Sequence, residues 1–156
     1  MLSYFRSYVP QSQSFGTGLK KLHESPNLKL KKYKGSVYYG EFGNDKRNGV
    51  GIMVYDNGRL YEGNWKEDLK EGEAGFEKFP NGCMYSGAYI AGKPDGVGRY
   101  SWPNDEFYEG EWRCGLKHGS GMWRGEKGDS YIGEWKDGKA DGYGVHTWVN
   151  GDRYEG

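Results

Sequence analysis

From Tyr38 onward, aromatic residues and glycines take every second position in short runs. The runs are Tyr38, Gly40 and Phe42; Tyr61, Gly63 and Trp65; Tyr85, Gly87 and Tyr89; Tyr108, Gly110 and Trp112; and Tyr131, Gly133 and Trp135. A period of two sends all three residues of a run to one face of a β-strand. The leading tyrosines, ending with Tyr154, lie 23, 24, 23, 23 and 23 residues apart. A second alternating segment follows in most units, opened by Gly49 and Gly51, Gly96 and Gly98, Gly119 and Gly121, or Gly142 and Gly144. Tyr55, Trp102 and Trp148 close such segments on the same face. Asn57-Gly58, Pro80-Asn81-Gly82, Pro103-Asn104-Asp105 and Asn150-Gly151 then read as turns, with Asn-Gly suited to a tight hairpin at positive φ.

Each unit is therefore strand, loop, strand and turn. A lone hairpin is marginal in water, so the units must stack on one another. Glycine inside a strand weakens it unless an aromatic ring lies over the bare backbone. The pattern thus predicts an all-β chain: an elongated, twisted, single-layer antiparallel sheet of stacked β-hairpin repeats. Gly72-Glu73-Ala74-Gly75 carries one residue too many between its glycines, which predicts a β-bulge in that unit.

Composition sharpens this picture. Leu, Ile, Val and Phe make up only about 15 per cent of the 156 residues, a share normally associated with disorder. Fourteen Tyr, 6 Trp and a net charge of zero argue instead for an ordered core of rings. No apolar run approaches the length of a membrane span, and the first residues lack the continuous apolar stretch of a secretory signal. Cys83 and Cys114 stand far apart and read as free thiols, which fits a reducing cytoplasm.

The units Tyr108-Glu109-Gly110-Glu111-Trp112 with His118-Gly119-Ser120-Gly121, and Tyr131-Ile132-Gly133-Glu134-Trp135 with Gly142-Tyr143-Gly144, resemble MORN (membrane occupation and recognition nexus) repeats. The resemblance covers residues 38–156 and implies an elongated twisted sheet of successive hairpins. It further implies a non-catalytic scaffold of the kind associated with cilia, the axoneme and other cytoskeletal assemblies. A membrane tether and the regulatory half of a longer enzyme are alternatives, since some phosphoinositide kinases and a lysine methyltransferase carry such repeats.

Three segments follow. Residues 1–26 form a flexible or partner-docking basic arm, with Tyr4, Phe5, Tyr8 and Phe15 as docking residues. Residues 27–37 form an amino-terminal capping strand, and residues 38–156 the array of five full units and the start of a sixth. The edge at Tyr154-Glu155-Gly156 would be covered by further chain, by a partner or by end-to-end self-association. Residues 1–37 hold seven basic side chains and one acid, leaving 15 basic and 21 acidic residues in the array. An anionic membrane surface is therefore the alternative partner, through Lys20, Lys21, Lys29, Lys31, Lys32 and Lys34.

Catalytic chemistry finds no support. Gly87–Lys93 and Gly133–Lys139 imitate the start of a phosphate-binding loop, but Pro94 and Ala140 replace the hydroxyl residue and no helix follows. His23, His118 and His146 occupy unrelated positions, and no nucleophile elbow or metal-ligand pair occurs. No cofactor, metal or catalytic residue is expected. Glu41, Glu111 and Glu134 recur at equivalent positions and read as a solvated face. The acidic array would repel nucleic acid, so no such partner is expected. Protein recognition remains, for a helical or extended partner segment along the sheet. Its candidate contacts are the strip Val50, Ile52 and Val54, or the aromatic residues Tyr89, Tyr100, Trp102, Trp112, Trp123, Trp135 and Trp148. The competing structural role for the Val50 strip is packing against the amino-terminal arm.

Overall fold

The computed structural model describes residues 27–156, and every regular element among them is a strand. In chain order these are β1 Leu28–Tyr33, β2 Ser36–Gly43, β3 Lys46–Tyr55, β4 Leu60–Lys66, β5 Leu69–Lys78 and β6 Met84–Ile90. They continue as β7 Lys93–Ser101, β8 Phe107–Arg113, β9 Leu116–Arg124, β10 Ser130–Lys136, β11 Lys139–Thr147 and β12 Arg153–Glu155. All twelve lie in one open sheet in the order of the sequence. Each is antiparallel to the next, so the repeat does form a sheet of stacked hairpins.

The glycines line up across it. Gly40 pairs with Gly51 and Gly51 with Gly63. Further on, Gly75, Gly87, Gly98, Gly110, Gly121, Gly133 and Gly144 pair in succession. Tyrosine rings lie on this stripe: Tyr38 over Gly40 and Gly51, Tyr108 over Gly110 and Gly121, Tyr131 over Gly133 and Gly144. A Cβ at any of these glycines would overlap the ring, so the absence of a side chain is what admits it.

The rings in turn form a ladder running across the strands. Phe42, Tyr38, Trp65, Tyr61, Tyr89, Tyr85, Trp112, Tyr108, Trp135 and Tyr131 make successive edge-to-face contacts. Such contacts add roughly 0.5–1.5 kcal/mol each to the burial of the rings. The polar tips are satisfied by backbone. Tyr38, Tyr61, Tyr85, Tyr108 and Tyr131 donate to the carbonyls of Glu41, Asn64, Ala88, Glu111 and Glu134, three residues on. Trp65, Trp112 and Trp135 donate to Gly51, Gly98 and Gly121 in the preceding unit, at 3.2, 3.0 and 3.2 Å. Burial pushes the Tyr108 phenol up to about 12, and those of Tyr38, Tyr61, Tyr85 and Tyr89 upward as well.

Local geometry departs from the sequence expectation in three ways. The bulge expected in β5 is present between Gly72 and Gly75, but the register also shifts inside every unit. Those shifts fall at Gly40/Phe42, Glu62/Asn64, Gly87/Tyr89, Gly110/Glu111 and Gly133/Trp135. The cause is the first glycine of each Gly-x-Gly, which takes positive φ, 57° at Gly119 and 94° at Gly142. Second, the recurring carboxylates are not merely a solvated face. Glu41, Glu111 and Glu134 accept the backbone N–H of Val50, Ser120 and Tyr143 at 2.7, 2.9 and 3.1 Å, tying down the residue after that glycine.

Third, the tight turns sit elsewhere. Both residues take positive φ at Asn44-Asp45, Glu67-Asp68, Ala91-Gly92, Cys114-Gly115 and Asp137-Gly138, inside the units. At Asn57-Gly58 only the glycine does, at 85°. Asn57 Oδ1 accepts the N–H of Arg59 at 3.0 Å, a local turn that keeps the asparagine in its ordinary conformation. The tight turns also link units: Asp68, Gly92, Gly115 and Gly138 donate backbone N–H to Arg47, Lys70, Pro94 and Lys117 of the unit before.

A second, smaller cluster lies on the opposite face of β3 to β5. Ile52, Val54 and Leu60 are buried, with Leu28, Val50 and Phe76 packed against them. Glu62 shares this face, 7% exposed, and its Oε2 has no hydrogen-bond partner among the described residues. Burial raises its carboxyl from 4.5 to about 7. The folded state thus holds a proton that the unfolded chain releases near pH 4.5, and this advantage is lost as pH rises through 7. Denaturant titrations of Glu62→Gln should match the parent near pH 4.5 and gain about 2 kcal/mol over it at pH 8. Parallel pH profiles for the two proteins would contradict this.

Candidate partner-binding face

Beside the tyrosine row, on the same face, runs a second row set by register. Met53, Glu77, Tyr100, Trp123 and His146 pair with the leading tyrosines Tyr61, Tyr85, Tyr108, Tyr131 and Tyr154 of the following unit. Two residues further along come Tyr55, Phe79, Trp102 and Trp148, with Gly125 in that place after Trp123. The rings touch in groups: Phe79 lies 5.8 Å from Tyr100, Tyr100 4.7 Å from Trp102, and His146 4.4 Å from Trp148, between centroids. Unlike the ladder, these rings keep one side to solvent. Tyr55, Phe79, Tyr100, Trp102 and Trp123 are half-buried, and Trp148 is 43% exposed.

Cations lie over the rings from the other side of the tyrosine row. The guanidinium of Arg47 is 4.3 Å from the Trp65 ring, and Lys70 Nζ is 4.7 Å from that of Tyr61. Lys117 Nζ stands 4.8–5.3 Å from the rings of Trp102, Tyr108 and Trp135. Burial among them lowers the Lys117 ammonium, with Glu106 pulling the other way. Glu106 also accepts Trp123 Nε1–H at 2.8 Å, fixing the plane of that indole. Tyr100, Trp102, Lys117 and Trp123 thus form an aromatic platform with one positive charge, positioned by β7, β8 and β9.

The residues proposed from sequence separate into groups. Tyr89, Trp112 and Trp135 belong to the core ladder, at 1%, 9% and 9% exposure, so a partner cannot reach their rings without opening the stack. Tyr100, Trp102, Trp123 and Trp148 form the accessible row of that same face. Val50, Ile52 and Val54 lie on the opposite face, where Ile52 is 1% exposed and Val54 9%. A partner on one face does not touch the other, so the sequence-derived residues do not make one site. Tyr55, read from sequence as lying on this face, was not among the proposed contacts, and neither were Phe79, His146 and the ring-capping cations. A signal existed for the cations, since Arg47, Lys70 and Lys117 each stand two residues before the glycine that opens the second segment of their unit.

Among the proposed lipid contacts, Lys29, Lys31, Lys32 and Lys34 are exposed on β1 and its turn, and Lys31 Nζ lies 5.4 Å from the Tyr33 ring. Lys20, Lys21, His23 and the docking residues Tyr4, Phe5, Tyr8 and Phe15 fall outside the described residues. Among the described residues no three His, Cys, Asp or Glu side chains converge as a metal site.

A one-sheet meander of similar hairpins, with most of its rings on one face, defines a repeat protein whose chemistry is that of a surface. The model of the MORN repeat matches residues 38–58, 61–84, 85–106, 108–130 and 131–153, and the chain belongs to the MORN-repeat family. That repeat is a non-enzymatic module suited to protein binding. Among solved structures, the TCP domain of SAS-4 (dCPAP) of Drosophila melanogaster, in complex with a proline-rich motif of Ana2 (dSTIL), is similar at 16% identity. The match covers 93% of this chain and 86% of that one, at a TM-score of 0.42. No curated protein matches.

Proposed function

We propose that this protein is a non-catalytic scaffold that binds a helical or extended segment of a partner protein along its aromatic face. One observation carries the reading: the accessible row of Tyr100, Trp102, Trp123 and Trp148 offers rings unit after unit. Equivalent residues are two strands apart, about 10 Å. Seven residues of α-helix, close to two turns, advance about 10.5 Å and three residues of extended chain about 10 Å. A segment laid across the strands therefore brings one side chain to each ring cluster. Half-buried indoles and phenols are the usual anchors of such contacts. The setting proposed is the cytoplasm, on a ciliary, axonemal or other cytoskeletal assembly.

The test is a triple variant, Trp102→Ser, Trp123→Ser and Trp148→Ser, compared with the parent in quantitative recovery of its bound partner from cells. These residues flank the ladder, so the sheet should persist by circular dichroism while partner recovery falls at least about tenfold. Recovery unchanged on a folded sheet would remove the aromatic face as the binding surface. An anionic bilayer is the second reading, favoured by the exposed lysines of β1. Retention with membranes that the ring variant leaves intact and high salt abolishes would support it.

A further inference from the structure

The apolar patch on the face away from the rings needs a cover. Side chains on one face of a single-layer sheet have neighbours only within the plane, and their outward surface stays open. Val97 and Ile132, on this face of later units, follow that rule at 67% and 58% exposure. Ile52 at 1%, Leu60 at 4% and Val54 at 9% do not. Their packed neighbours among the described residues are Leu28, Val50 and Phe76, which lie beside them in the sheet rather than above it. The composition of this face changes at the same place. Where the first units have Ile52 and Phe76, the unit of β7 has Arg99.

We propose that residues 1–26 of this chain lie across the outer face of β2 to β5 and cover the Val50, Ile52, Val54, Leu60 and Phe76 patch. The chain enters the described structure at Asn27 and Leu28, and Leu28 already packs against this cluster. The segment therefore begins at the rim of the surface it would cover. Twenty-six residues can extend to about 85 Å, whereas the patch spans four strands, about 15–20 Å. Apolar groups come at intervals along it: Leu2, Tyr4, Phe5, Tyr8, Val9, Phe15, Leu19 and Leu22. Its charge suits the site too. Arg6, Lys20 and Lys21 stand against one acid, Glu24, and the patch holds the buried Glu62, whose Oε2 has no hydrogen-bond partner among the described residues. The arm is then an intramolecular second layer for the first two units. It closes their outer face and leaves the ring face open, independently of which partner that face takes.

A photo-crosslinking residue placed at Tyr8 or at Phe15 of the full-length protein tests this directly. Activation should join the arm to peptides containing Val50–Val54 or Leu60–Phe76 of the same molecule. Crosslinks to the ring face, no crosslink, or crosslinks between heavy- and light-isotope copies in a mixture would overturn the proposal. A second readout uses Phe5→Ser, Tyr8→Ser and Phe15→Ser together in the full chain, changes that leave the array untouched. Fluorescence of a hydrophobic dye should rise several-fold as the patch opens, and unchanged fluorescence would count against the arm as cover.

Discussion

Glu77→Ala is expected to destabilise the protein by about 3–5 kcal/mol, the range for breaking a buried ion pair from one side. Glu77 is 2% exposed and sits where neighbouring units carry Met53, Tyr100 or Trp123. Its Oε1 accepts Arg59 Nε and Lys70 Nζ, both at 2.6 Å, and its Oε2 accepts the Tyr89 hydroxyl at 2.7 Å. The chain of dependence starts with the exchange of tryptophan for Tyr89 in this unit. A buried phenol needs an acceptor, the carboxylate that supplies it needs a cation, and Lys70, seven residues earlier on the same strand, supplies that. Burial nonetheless holds the Lys70 ammonium below its ordinary value. Removing Glu77 alone strands Lys70. Replacing all three, as Glu77→Leu with Lys70→Met and Tyr89→Phe, should restore most of the loss, because well-packed apolar residues often substitute for a buried pair at little cost. Equal losses in the single and triple variants, measured by denaturant unfolding, would refute this coupling.

Trp112→Ala should cost a comparable amount, about 3–5 kcal/mol, for a different reason. The Trp112 ring contacts Tyr85 of the unit before and Tyr108 of its own, both at 5.3 Å, and its Nε1–H reaches Gly98 O at 3.0 Å. It is thus a rung between units, and its loss leaves a cavity and removes a hydrogen bond that joins them. Stability in a repeat array is a sum of unit and nearest-neighbour terms. Weakening a central junction should therefore split one melting transition into two, with the Trp65 side outlasting the Trp135 side. Trp112→Phe, which keeps a ring but not the donor, should lose about 1–2 kcal/mol and melt once. A single, unshifted transition in Trp112→Ala would mean that the ladder does not carry the stacking.

The repeat was legible because its signal is periodic and redundant. Tyrosine, glycine and aromatic at alternate positions have few other physical solutions than rings lying on bare backbone, and the register of Gly98, Gly110 and Gly121 follows from it. The bulges were not legible except at Gly72–Gly75. A strand that shifts register in every unit leaves no irregular spacing to notice, and positive φ at Gly49 or Gly119 looks in sequence like any glycine. Asn57-Gly58 misled as a tight-turn signal because the asparagine side chain closes a turn of its own. The site was half legible. Aromatic residues could be picked out, but alternation alone cannot separate Trp112, locked between units, from Trp102, which register leaves on the rim. Nor could it reveal that Glu77 stands in a ring position to serve Tyr89.

The central claim is that the ring face binds a protein segment. It is tested most directly by a photo-crosslinking residue placed in turn at Trp123 and Trp148, and at Val97 and Ile132 on the other face, in the full-length protein in cells. The ring-face positions should capture one partner, with the crosslinked peptides mapping to a single contiguous segment, while Val97 and Ile132 capture nothing in common with them. Capture of the same partner from Val97 or Ile132 alone, or equally from both faces, would contradict the account.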